Sequence, residues 1–121
     1  MLKAWTRAGV AVALAALAAC GPQQTKQEEI AARESAALAP LKAKYAAFVT
    51  AVNPDGNRLD VAIDANAYDG ADDDEIAAFK KAALEDWRRA WIAANPGKHA
   101  PLTVRVIDFM GRAWATERAK V

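Results

Sequence analysis

"NPDGNRLDVAID", Asn53 to Asp64, is the stretch on which the reading of the fold turns. Its first five residues, Asn53 to Asn57, concentrate turn chemistry in Pro54, Asp55 and Gly56, and so mark a boundary between two structural elements. Leu59, Val61 and Ile63 then alternate with Asp60, Ala62 and Asp64, the two-residue period of a strand with one buried face. The chain therefore contains sheet, and the apolar patterns on either side must supply something to cover it.

Upstream, Leu41, Tyr45, Phe48, Val49 and Val52 fall at i, i+4, i+7, i+8 and i+11, an amphipathic stripe that predicts helix from Pro40 up to the turn. Ahead of Pro40, Thr25-x-x-Glu28 has the capping-box pattern of a helix start. From Gln27 to Ala39 the alanines favour helix, but only Ile30 and Leu38 are large and apolar, so this half is expected to be a polar helix that reaches more than it packs. Pro40 either kinks one long helix or opens a second.

Downstream, Asp72 to Glu75 mark the start of another helix and "NPG", Asn95 to Gly97, marks its end, with Ile76, Phe79, Ala83, Leu84, Trp87, Trp91 and Ala94 along its inner face. Leu102, Val104 and Val106 repeat the strand period, and "DFMG" reads as a turn. Because a lone strand needs a neighbour, the tail is read as the return strand of a hairpin, with "AWATERAK" as a short terminal helix the alternative. The expected class is α+β: a long N-terminal helix, one strand, a second helix and a C-terminal β-hairpin, the small sheet being built from residues 58–64, 102–108 and 112–117.

At the amino terminus, a basic start at Lys3 and Arg7 leads into an unbroken apolar run from Ala8 to Ala19, the layout of a secretory signal peptide. The run falls short of the roughly 20 apolar residues that a spanning helix needs. Leu17-Ala18-Ala19-Cys20 resembles the lipobox of bacterial lipoproteins, and the resemblance covers only the first 21 residues. It implies that Cys20 receives a diacylglyceryl group on its thiol, becomes the mature amino terminus after cleavage, and is acylated on its freed amine. Such a multiply acylated end holds to a membrane permanently. Gly21, where retained lipoproteins of enteric bacteria carry aspartate, implies the periplasmic face of the outer membrane, with the inner membrane the alternative. The expected organisation is a signal peptide at 1–19, a lipid-anchored tether and polar helix at 20–39, and a small α+β domain at 40–121.

Composition narrows the partners. Sixteen Lys and Arg against fifteen Asp and Glu leave the chain near neutrality, which argues against nucleic acid. Cys20 is the sole cysteine, so no intrachain disulfide can staple the domain, and its stability must come from an apolar core.

Candidate chemistry is sparse. Asp64, Asn66, Asp72 and Glu75 stand at positions one, three, nine and twelve of a calcium-loop-like spacing, but Tyr68 and Asp69 occupy positions where a ligand and a glycine belong. The plainer account is a polar loop whose acids favour the positive end of the adjoining helix. Asp60, Asp64, Asp69 and His99 would have to converge in a cleft to support a periplasmic hydrolase acting on envelope material. Ser35, the only serine, lacks the glycine context of a nucleophile elbow. Trp87 and Trp91, one helical turn apart, are candidates for partner binding or for core volume. No cofactor-binding motif is present. The reading these observations favour is a non-enzymatic interaction or structural module of the cell envelope, bound to the membrane through lipid on Cys20 and serving an envelope protein or cell-wall partner. A hydrolase and a calcium-binding lipoprotein are the alternatives.

Overall fold

Gly56 and Asn57 join two strands, not a helix to a strand. In the computed structural model, which describes residues 22–121 with side chains from Lys26 onward, β1 (Val49–Asp55) pairs antiparallel with β2 (Arg58–Ile63), Asp55 lying opposite Arg58. A two-residue hairpin loop requires positive φ at its first central position or at both, and Gly56 supplies it at +61°. The signal peptide expected at 1–19 and the lipidated Cys20 lie outside the described residues.

This hairpin corrects the expectation of a single strand preceded by helix. The helix α1 (Pro22–Lys44) runs through Pro40 but stops before the turn. The amides of Phe48 and Val49 both donate to the Tyr45 carbonyl, at 3.1 and 2.8 Å, and so turn the chain out of the helix. Phe48, Val49 and Val52 kept helical spacing by coincidence. Val49, Thr50 and Val52 are β-branched and sit in β1, where such side chains pack well on a pleated surface.

After β2 comes a one-turn helix, α2 (Ala65–Asp69), capped by Asp64, whose Oδ1 accepts from the Ala67 amide at 3.1 Å. Then α3 (Asp73–Ala94) crosses the sheet to β3 (Pro101–Ile107), which lies parallel to β2. The return strand β4 (Ala113–Lys120) pairs antiparallel with β3, from Ile107–Ala113 to Pro101–Lys120, and extends further than the expected 112–117. The fold is mixed α+β, its single sheet four-stranded in the order β1-β2-β3-β4, where three strands were expected.

Strand directions fix two ends of the domain. Val49 pairs with Ile63, and Ala62 with Ile107, so the end of α1, the end of β2 and the 108–112 turn share one end. The β1–β2 tip and the end of α3 share the other. The helices α1 and α3 run antiparallel and cover the same sheet face, closing over Leu59, Val61, Leu102, Val104 and Val106, each at most 1% exposed. At the 108–112 end, Tyr45, Phe48, Tyr68 and Phe79 pack edge to face, with Phe79 5.1 Å from Phe48 and 5.2 Å from Tyr45 between ring centres. Leu38 and Leu41 bring α1 into the same core. Among the described residues, no helix is long and apolar enough to cross a membrane.

Trp87 is fully buried, and its Nε1 donates to the Asn57 carbonyl at 3.3 Å. Trp87→Ala should lower the unfolding free energy by about 3–5 kcal/mol through lost burial and the cavity left behind, measurable as an unchanged denaturant slope with a lower midpoint.

Candidate functional site

Two features of the surface stand out, one at each end of the domain. At the hairpin-tip end, α1, the end of α3 and the Pro54–Asn57 segment surround a half-open cleft of about 630 Å³. Ile30, Ala31, Pro54 and Trp91 contribute apolar lining, and Glu34 and Asn95 meet within it. Glu34 is only 3% exposed, although it is a carboxylate on a helix rich in alanine. Asn95 Nδ2 donates to Glu34 Oε2 at 3.5 Å and, better, to the Trp91 carbonyl at 3.0 Å. Burial raises the Glu34 pKa from 4.5 to about 7, with the Asn95 hydrogen bond pulling weakly the other way.

At the opposite end, the turn after β3 is organised by one side chain. Asp108 is 3% exposed, and its Oδ1 accepts from the amides of Met110 and Arg112, both at 3.0 Å. Its Oδ2 accepts from Arg112 Nε at 3.2 Å and from Trp114 Nε1 at 3.1 Å. These bonds, the Trp114 indole foremost, hold the Asp108 carboxyl below the usual carboxylate range against the opposing effect of burial. Gly111, at φ +80°, lets the chain close, its amide donating to the Asp108 carbonyl at 2.9 Å. Trp114 also packs edge-on against Tyr68, tying the turn to the aromatic core. What this scaffold displays is Phe109, 92% exposed, and Met110, 76% exposed. Apolar side chains of that size held out on an ordered turn add nothing to the fold that carries them.

The residues singled out from sequence are dispersed. Asp60 lies on the open sheet face, where Arg58 Nε at 3.0 Å and Arg105 Nε at 3.2 Å flank it. Asp64 caps α2, Asp69 is exposed at the end of that helix, and His99 is exposed beyond α3, near the opposite end of the domain. The convergent cleft that a hydrolase reading needs is not formed by these four. Asn66, Asp72 and Glu75 are exposed, with Asp72 at the start of α3 and Glu75 in its first turn. Among the described residues, no group of three or more His, Cys, Asp or Glu is gathered to hold a metal ion. Ser35 is half-buried on α1. Trp87 and Trp91 are 0% and 4% exposed and join the core, which withdraws them as anchors for a partner, although Trp91 reaches the wall of the cleft.

Reading the sequence missed Glu34, Asn95, Asp108 and Phe109. Only "DFMG" held a signal, since an aspartate two residues before an amide it can bind is an Asx turn. Compared with protein-family models, curated proteins and solved structures, the chain matches none.

The Glu34 pKa is higher folded than unfolded, so the native state binds an extra proton between about pH 4.5 and 7, and stability falls as pH rises through that window. Glu34→Gln removes the cost of the buried charge. It should stabilise the protein by about 1–3 kcal/mol at pH 8 and leave it nearly unchanged at about pH 4, a difference that paired denaturant titrations would resolve.

Proposed function

We propose that the chain is a bacterial lipoprotein, tethered through lipid on Cys20 to the periplasmic face of the outer membrane, whose folded part is a non-enzymatic interaction module for an envelope partner. The basic start, the short apolar run and Leu17-Ala18-Ala19-Cys20 support the anchor, and Gly21 supports the outer membrane. The observation that carries the interaction reading is the Phe109–Met110 tip, exposed on a turn that Asp108 hydrogen-bonds at the end of the domain away from the start of α1. One residue, Gly21, separates Cys20 from the start of α1 at Pro22. A lipid on Cys20 therefore keeps the cleft end near the bilayer, because the cleft lining begins at Gln27, about 8 Å along α1 from its first residue. The helix α1, 23 residues long, spans about 35 Å and sets the tip at the far side of the domain. There the two apolar side chains face the periplasm, where an apolar pocket on an envelope protein or on a cell-wall-bound partner is what would bury them.

Cys20→Ser replaces the thiol that takes the lipid. The variant should remain unprocessed, lose fatty-acid label and leave the detergent phase; a wild-type protein whose mass equals an unmodified chain from Cys20 would refute the anchor. For the module, the double variant Phe109→Ser, Met110→Ser should fold with stability within about 0.5 kcal/mol of wild type, because neither side chain is packed. Crosslinking in cells should capture a partner with wild type and lose it with the double variant. Equal capture by both would place the contact elsewhere.

A further inference from the structure

The Glu34 carboxyl, otherwise buried, opens on the cleft. Oε2 receives a long hydrogen bond from Asn95 at 3.5 Å, and Oε1, for which the described residues supply no donor, is the oxygen left open to the cleft. A carboxylate taken out of water is strongly disfavoured unless a cation or a full set of donors replaces the lost hydration. Among the described residues, Lys98 is the one cation lining the cleft, and Glu28 and Asp55 line it too, so three carboxylates face a single ammonium. Asp55 is already engaged by Arg58 at 3.2 Å. A cavity of about 630 Å³ is within the range that admits a small organic ligand, and its apolar lining would take an alkyl segment. An anion is repelled by the Glu34 carboxylate, and an uncharged hydroxyl or amide donates to it but leaves its charge uncompensated. A primary ammonium on a short apolar chain answers it with up to three donors and a charge.

We propose that this cleft is a binding site for a primary ammonium group carried on an alkyl or glycerol-like stem, with Glu34 Oε1 as its acceptor and the Ile30–Trp91 surface beneath the stem. The source is either a free amine or the ethanolamine headgroup of a membrane lipid. The second source depends on the lipid anchor proposed above, which would hold the cleft at headgroup depth; the first does not depend on it.

The test is titration of the full chain at about pH 8, where Glu34 is ionised, with hexylammonium chloride and separately with hexanol, monitored by tryptophan fluorescence and by the Asn95 side-chain amide signal in NMR. The expected result is saturable binding of hexylammonium at least about tenfold tighter than of hexanol. Glu34→Gln should erase that preference, and Lys98→Ala, which removes the competing cation from the wall, should tighten hexylammonium binding severalfold. Vesicles of phosphatidylglycerol with and without phosphatidylethanolamine separate the sources. An Asn95 shift seen only with phosphatidylethanolamine and displaced by hexylammonium identifies the headgroup, and a shift with soluble amine alone identifies a free amine. Equal binding of hexanol and hexylammonium, unchanged preference in Glu34→Gln, or no Asn95 response to any of these probes would overturn the proposal. The Cys20→Ser chain, which cannot take the lipid, gives the same result in the soluble arm whether or not the wild-type chain is anchored, so loss of the anchor reading leaves this site standing.

Discussion

The Asn57 carbonyl accepts two hydrogen bonds from parts of the chain far apart in sequence, the Trp87 indole at 3.3 Å and the Thr103 amide at 3.1 Å. The second opens the parallel ladder between β2 and β3, and the first locks the crossover helix over it. Parallel pairing cannot be made by a tight turn; it requires the chain to travel the length of the sheet and return, which is what α3 does. The rest of the architecture depends on that passage. It puts α3 on the same sheet face as α1, leaves the Arg58–Asp60–Arg105 ladder on the other face, and sends the β1–β2 tip and the β3–β4 turn to opposite ends. The cleft and the Phe109–Met110 tip are separated because β2 and β3 point the same way.

Around that passage the core is sorted by side-chain type. Aliphatic residues, Leu59, Val61, Leu102, Val104 and Val106, fill the space under the helices along the two central strands, and aromatic rings close the end where α1 stops. Phe79 contacts three of those rings, so it joins α3 to α2 and to the segment after α1. The hydroxyls of Tyr45 and Tyr68 give these rings a polar end, which suits a cluster at the margin of a core. A domain with no disulfide thus gains its cohesion from shape and burial.

Sequence periodicity revealed the parts whose neighbours are local or whose burial is one-sided. The strands β2 and β3 and the helix α3 were legible for that reason, each marked by alternation or by a stripe with turn residues beyond it. The strand β1 was hidden because Phe48, Val49 and Val52 satisfy a helical template as well as they satisfy a pleat, and nothing nearby broke the tie. The turn at Gly56 was visible, but whether it joined strand to strand depended on pairing that only β2 could reveal. Glu34 was illegible for a different reason. A glutamate on an alanine-rich helix looks solvated, and its partner Asn95 lies 61 residues away and served in the sequence only as a helix stop. The apolar exposure of Phe109 is likewise a property of the turn geometry that Asp108 imposes, not of the residue.

The helix α1 has an uneven hold on the rest of the molecule. Leu38 and Leu41, with Tyr45 just past its end, root its carboxyl-terminal half in the core, whereas in the alanine-rich half Glu34 is buried and reaches across to Asn95. Pro40, between Leu38 and Leu41, removes one backbone donor from the rooted half. A pull applied at the amino end would therefore peel the first half from α3 residue by residue, not shear the whole helix at once, and would stop where the leucines begin.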